Sequence, residues 1–427
     1  MNCEISEAKL NYKRLGDYIQ VVNIRNKNLE VETLLGVSIK KVLMPSIANT
    51  VGTDMSRYKI IEKNQFAYGP VTSRNGDKIS IALLEEYDKA LVSQAYTVFE
   101  IIDDELLNAE YLMMWFRRPE FDRYARFKSH GSARETFDWE ELEETELPIP
   151  SIEKQRELVA EYNTIVNRIK LNETLNQKLE DTAQALYKHW FVDFEFPNAE
   201  GKPYKSSGGE MIYNEELDME IPEIFVVSDL GSLLDNKGYI RGPFGSALKV
   251  ADMRDSGIPV YEQQHVLDEH RNFRYYVDKD KFKSLERFSV KANDILISCS
   301  GVNLGKLSYV KTTDPIGIIN QALLILRVDS SIISPICIKY FLSSKEGKRL
   351  LIGESGGSAI PNIAKREVIQ AIPFLLPNYK TRELLESNLL VITKKTELIN
   401  KEIDLLVETK NIILSKMSKV DTKTVKV

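Results

Sequence analysis

The chain has 427 residues and a mass of 48.9 kDa, too long for one compact core and suited to two or three domains. An apolar fraction of 43% beside 28% charged residues excludes wholesale disorder, and apolar runs as short as Ala322–Leu326 exclude a membrane helix of ~20 residues. The net charge of −6, taken over the whole chain, counts against nucleic-acid binding, so any such role has to show in local patches.

The opening Met-Asn-Cys-Glu-Ile-Ser-Glu has no basic stretch followed by an apolar one, so a cytoplasmic chain is expected. Cys3, Cys299 and Cys337 are odd in number and scattered, which argues against a disulfide framework and a cysteine zinc site. His130, His189, His265 and His270 make no metal-ligand pair on a helical face, and no metal site is expected.

In chain order, Met1–Pro150 mixes short β-rich runs such as Ala95–Ile102 with polar connections and reads as a compact α+β domain, residues 1–150. Ser151–Trp190 then contains neither glycine nor proline, although the chain has 21 and 15 of these. Such a run predicts an uninterrupted helix, within residues 151–195. Its apolar spacing alternates between four and three through Leu158, Ile165, Ile169, Leu179 and Leu186, with Asn172 and Asn176 in mid-seam.

Pro197–Gly209 reads as a linker by composition. It opens a second α+β domain over residues 196–377, whose β-rich runs include Asp294–Ser298 and Ile318–Val328. Asn378–Val427 again lacks glycine and proline, so residues 378–427 are the second long helix. Its seam runs through Leu389, Ile392, Ile399, Ile403, Leu406 and Ile413, with Thr396 and Lys410 as polar members. Two seams sustained over four heptads predict a coiled coil, and polar seam residues commonly set register.

The halves repeat. Gly131-Ser132-Ala133 returns as Gly357-Ser358-Ala359, Arg156-Glu157-Leu158 as Arg382-Glu383-Leu384, and Val92-Ser93-Gln94-Ala95-Tyr96 as Ile319-Asn320-Gln321-Ala322-Leu323. The order globule, helix, globule, helix predicts an internal pseudo-dyad if the helices pair antiparallel.

Signs of catalysis are weak. Gly301–Ser308 has three residues between its glycines where a phosphate loop needs four, no His-Glu-x-x-His occurs, and neither a Gly-x-Ser-x-Gly elbow nor a Gly-x-Gly-x-x-Gly after a strand is read. No catalytic residue is expected.

Basic and aromatic residues do cluster in both halves. Arg117, Arg118, Arg123, Arg126, Lys128 and Arg134 face only Glu120 and Asp122 within their window, among Phe116, Phe121, Tyr124 and Phe127. The second half has clusters over Lys237–Arg254 and Arg271–Arg287. Such patches suit phosphate contacts, with Asn, Gln and Arg free to read base edges. Charge and loop position together give the DNA-binding candidates Arg74, Asn75, Arg126, Lys128, Arg134, Arg241, Lys249, Arg274, Asn303, Lys306, Asn362 and Lys365.

The run Ala183-Gln184-Ala185-Leu186-Tyr187-Lys188-His189-Trp190-Phe191-Val192-Asp193-Phe194, with Leu147-Pro148-Ile149-Pro150-Ser151-Ile152-Glu153-Lys154-Gln155 before it, resembles the central conserved region of specificity subunits of type I restriction-modification systems. Gly201–Lys205 and Gly356–Ile363 add to the resemblance, which covers essentially the whole chain, although Gly131–Phe137 lacks the Pro-Asn of the second loop. It implies a non-catalytic subunit with two target-recognition domains, each reading half of a bipartite DNA sequence. An antiparallel coiled coil would fix the unread spacer and dock two methyltransferase subunits, with Trp190, Phe191 and Phe194 as the expected docking side chains. It implies no cofactor in this chain. S-adenosylmethionine belongs to the methyltransferases, and ATP with magnesium to two restriction subunits where these join. The competing reading is a cytoplasmic coiled-coil scaffold whose globules bind proteins.

Overall fold

The computed structural model describes residues 12–46, 52–72, 78–130, 135–267, 271–353 and 362–419. The chain divides into two compact units, Met1–Glu173 with Asn400–Val427 and Thr174–Ile399. The boundaries fall inside the two long helices, so each unit holds a globule and a part of each helix.

The first unit is built on an antiparallel sheet of four strands in the order Ile19–Val22, Thr97–Ile101, Phe66–Gly69, Ser80–Leu83. Side chains alternate across it. Phe66, Tyr68 and Phe99 enter the core shared with the helices, whereas Ala67 and Val98 enter a smaller core with Leu35, Ile61 and Val92. Cover on both faces explains why these strands read as near-continuous apolar runs. Phe66 stacks on Phe99 at 4.7 Å. The helices Ala109–Phe116 and Pro119–Lys128 follow, the first capped by the Asn108 side chain, which accepts from Tyr111 N–H, and the second opened by Pro119. Beside them the buried Lys41 ammonium pairs with Asp122 at 2.7 Å, and burial holds its pKa below the usual lysine range.

The second unit repeats this plan. Its sheet runs Leu234–Arg241, Leu323–Val328, Ile295–Ser298, Leu307–Tyr309, again all antiparallel. Leu324 and Leu326 face the helical core and Leu323 and Ile325 the outer one. Helices Pro335–Ser343, Lys345–Ile352 and Arg366–Gln370 correspond in order to Ala109–Phe116, Pro119–Lys128 and Trp139–Glu143. Each globule is closed by a pair of terminal strands, Tyr12–Arg14 with Glu146–Pro148 and Val226–Asp229 with Pro373–Leu376. The sequence repeat is thus a repeat of structure.

The long helices span Ile152–Phe191 and Tyr379–Lys416. In the first unit Leu158 and Tyr162 share a core with Ile413 and Met417, and Arg168 Nε donates to Glu402 at 2.7 Å. In the second unit Ala183 and Tyr187 share a core with Leu385 and Leu389. In each unit late residues of one helix meet early residues of the other, which is antiparallel pairing. All the seam positions named above are buried or half-buried. Asn172 is 2% exposed, and its Nδ2 has no acceptor of good geometry among the described residues, although it lies close enough to Glu402 to help Arg168 hold that carboxyl below its usual value.

Two expectations change. Pro197–Gly209 is not a loose linker: Tyr204 stacks on Phe196 at 4.6 Å, Phe196 stacks on Phe225 at 5.0 Å, and Ser206 N–H donates to Glu195. Three aromatic rings outweigh the turn-forming composition. Trp190, Phe191 and Phe194 are 4%, 4% and 1% exposed and sit in the core of the second unit, Phe191 against Phe225 and Phe374. Burying these rings joins the helix end to the globule and leaves no docking face on them.

Candidate nucleic-acid interface

The clearest site lies in the second unit. The strand Leu234–Arg241 ends in the turn Arg241-Gly242-Pro243-Phe244, where a side chain on Gly242 would put Cβ 1.9 Å from the Asn320 carbonyl oxygen. Glycine is required there because the neighbour is backbone. The turn forms one wall of a groove of about 640 Å³, and the segment Asn362–Arg366 forms the other. That segment is fixed by a bridge from Asn362 to Ser300 and by Ile363 N–H donating to Cys299 O at 3.1 Å.

Four cations line the groove, Arg241, Arg287, Lys365 and Arg366, and among the described residues no carboxylate lines it. Arg241 Nη2 donates to Asn362 Oδ1 at 3.4 Å, while its Nη1 is shut off from solvent without an acceptor among the described residues. Leaving such a donor unmatched costs about 1–3 kcal/mol, which an entering acceptor can relieve. Arg366 lies over the Tyr239 ring at 5.3 Å and Arg287 over Phe288 at 4.6 Å, so their stems are held by aromatic faces. Phe244, 65% exposed, stands 5.8 Å from the Arg241 guanidinium. The arrangement suits an anionic ligand with flat apolar parts.

Of the sequence candidates, Arg241, Asn362 and Lys365 line this groove. Asn303 and Lys306 lie on the loop whose Ser300 bridges to Asn362. Lys249 and Arg274 are exposed but stand outside the groove lining, Lys249 beside Asp252, which pairs with Lys281, and Arg274 over Tyr275 at 4.8 Å. Arg287 and Arg366 are groove residues that reading the sequence missed. Arg287 belongs to a basic cluster visible in the sequence, and Arg366 follows Lys365 directly, so adjacency to a candidate was the available signal.

The first unit is different. Arg74, Asn75 and Arg134 lie outside the described residues. Arg126 is paired with Glu135 at 2.5 Å and Lys128 with Glu141 at 3.5 Å. Arg117 reaches Glu85, Arg123 reaches Glu120, and Arg118 is buried over the Trp115 ring at 4.2 Å. The positive window seen in the sequence is therefore largely answered by carboxylates brought in from other segments.

Other groups have structural uses. Burial raises the Cys299 and Cys337 thiols to about 12, which keeps them unreactive. His265 is buried, its Nδ1 accepting from Glu262 N–H at 2.8 Å. Ser308 of the phosphate-loop-like run is buried in a strand. Among the described residues no helix is long and apolar enough to cross a membrane.

On the second long helix Leu384, Val391 and Leu398 recur every seven residues within the second unit and remain 42–68% exposed. Leu405 and Ile412 continue that spacing within the first unit and are also exposed. The same heptad position of the first helix carries Glu157, Thr164, Leu171, Lys178 and Ala185, which make no such stripe.

With this geometry in hand, residues 11–181 match the type I restriction modification DNA specificity domain. The match covers the first globule and most of the first long helix. The chain is 34% identical over 143 residues to the MjaIX type I restriction enzyme specificity subunit of Methanocaldococcus jannaschii, covering 34% of this chain and 31% of that one. Over 159 residues it is 29% identical to the HindI specificity subunit of Haemophilus influenzae, covering 36% and 34%. The matched stretch thus spans about a third of the length of these curated relatives. The fold is shared with the crystal structure of a type I restriction-modification S subunit from M. genitalium, at a TM-score of 0.52 and 13% identity over 95% of both chains.

Proposed function

We propose that this chain is the non-catalytic DNA-recognition subunit of a type I restriction-modification complex, with each globule taking one half of a bipartite target. The observation that carries the reading is the repeat itself: two units with one sheet order and one helix order, the second of which gathers four cations on a groove without a carboxylate among the described residues. Duplicated readers are suited to half-sites, and free cations to the phosphate backbone. The length of the paired helices sets the unread spacer.

Methyltransferase subunits are the proposed partners, carrying S-adenosylmethionine, with restriction subunits supplying ATP- and magnesium-dependent work where they join. The exposed Leu384, Val391 and Leu398 are a better docking surface than the buried Trp190, Phe191 and Phe194. The matching partner segment is an apolar-striped helix. A cytoplasmic location follows from this role. Selection from random-sequence duplexes, with methyltransferase subunits present, tests the reading. Enrichment of two short elements at a fixed gap supports it, and no enrichment overturns it.

A further inference from the structure

The side chains lining the groove of the second unit share one property: Tyr239 hydroxyl apart, the polar ones present donors. Arg241, Arg287, Lys365 and Arg366 can only donate. Asn362 has both functions, but its Oδ1 already accepts from Arg241 Nη2 at 3.4 Å and from Ile363 N–H at 2.9 Å, an N–H it shares with Cys299 O. The backbone N–H fixes the amide orientation, since a flipped amide would turn a donor toward a donor. What Asn362 has left to offer is Nδ2.

Resting on the DNA-recognition reading above, we propose that Arg241 and Asn362 read a guanine in the half-site taken by the second unit. In the major groove guanine shows two neighbouring acceptors, N7 and O6. Adenine shows an acceptor beside a donor, cytosine a donor, and thymine an acceptor beside a methyl group. Asparagine reads adenine by giving one hydrogen bond and accepting another, and the occupied Oδ1 removes the second half of that exchange. A pair that only donates therefore matches guanine and meets the amino group of adenine with like polarity.

Arg241 Nη1 is closed off in the free chain, so contact requires the guanidinium to turn into the groove. The turn keeps the Nη2 bond to Asn362 Oδ1, 3.4 Å in the free chain, so that oxygen stays occupied. Phe244 beside it offers an exposed ring face, and Lys365, Arg366 and Arg287 remain for phosphate oxygens.

The test is selection from random duplexes with the full chain in complex with its methyltransferase subunits, comparing the wild type with R241A, N362A, N362D and K365A. The wild type is expected to select a motif with a guanine that R241A and N362A no longer favour, a loss of about 5- to 150-fold at that one position. The other half of the motif stays unchanged. N362D, nearly isosteric, turns the donor into an acceptor and loses the same guanine, which guards against misfolding of the alanine variants. K365A weakens binding to all sequences and keeps the motif. Retention of every guanine by R241A, N362A and N362D overturns the proposal, and so does uniform weakening with an unchanged motif, which would leave DNA recognition standing. A wild type that selects nothing overturns that reading as well.

Discussion

The two units have the same sheet order and the same succession of helices, yet they dispose of positive charge differently. In the first, Arg126 and Lys128 are met by Glu135 and Glu141, which arrive from the segment that closes the globule. In the second, Arg241, Arg287, Lys365 and Arg366 line a groove into which no carboxylate of the described residues enters. A repeated fold fixes where loops emerge, while the loop residues decide whether the charge stays available to a ligand.

Gly242→Ala tests the second unit most severely. The new Cβ would stand 1.9 Å from a backbone oxygen, so the turn must move. A loss of about 3 kcal/mol in denaturant unfolding is expected, at the upper end of ordinary overpacking, together with loss of one half of the selected motif. A variant of unchanged stability would show that the turn is not a rigid wall.

Charge is the next test. Replacing Arg287, Lys365 and Arg366 together by alanine should flatten the slope of log affinity against log salt by roughly three, close to one for each phosphate no longer neutralised. Replacing Arg126 and Lys128 should change it by less than one, because both are already paired. Equal changes in the two variants would erase the contrast between the units.

Two smaller effects concern the helices that both units share. Asn172→Leu should stabilise the chain by about 1 kcal/mol in denaturant titration by removing a buried, poorly matched amide from the seam, with some loss of register control. The smallest effect is acid sensitivity. Arg168 holds the Glu402 carboxyl below its usual 4.5, so its stabilisation is present above that pH and is lost as pH falls through the lower folded-state value. Arg168→Ala should make the melting temperature fall less between pH 6 and pH 3.5 than it does in the parent chain.

Much of this was legible in the residues. Absence of glycine and proline marked both ends of the first long helix and the start of the second to within a few residues, because helix interiors tolerate neither; the end expected for the second, residue 427, lies outside the described residues. The four-three spacing picked out residues that are buried or half-buried, Asn172 and Asn176 included, since a helix brings residues recurring at that period onto one face. Short motifs recurring near offset 226 revealed the duplication. The linker was read from composition and the docking role of Trp190, Phe191 and Phe194 from the resemblance, whereas only packing says that Phe225 and Phe374 lie against Phe191 and that Tyr204 and Phe225 lie against Phe196. The basic window of the first unit misled in the same way, because Glu135 and Glu141 lie outside the local count and meet it only after folding.

By itself, the sequence determined periodic and local matters: two helices, their facing residues, a doubled globule and the poverty of catalytic motifs. These depend on spacing along the chain, and spacing survives in a linear string. Tertiary structure decided which cations remain unpaired, which aromatics vanish into a core, and that Arg241 meets Asn362 although 121 positions separate them. Those outcomes depend on which segments meet in space, where a carboxylate or a backbone N–H brought from elsewhere decides whether a donor is spent within the protein or left for a ligand.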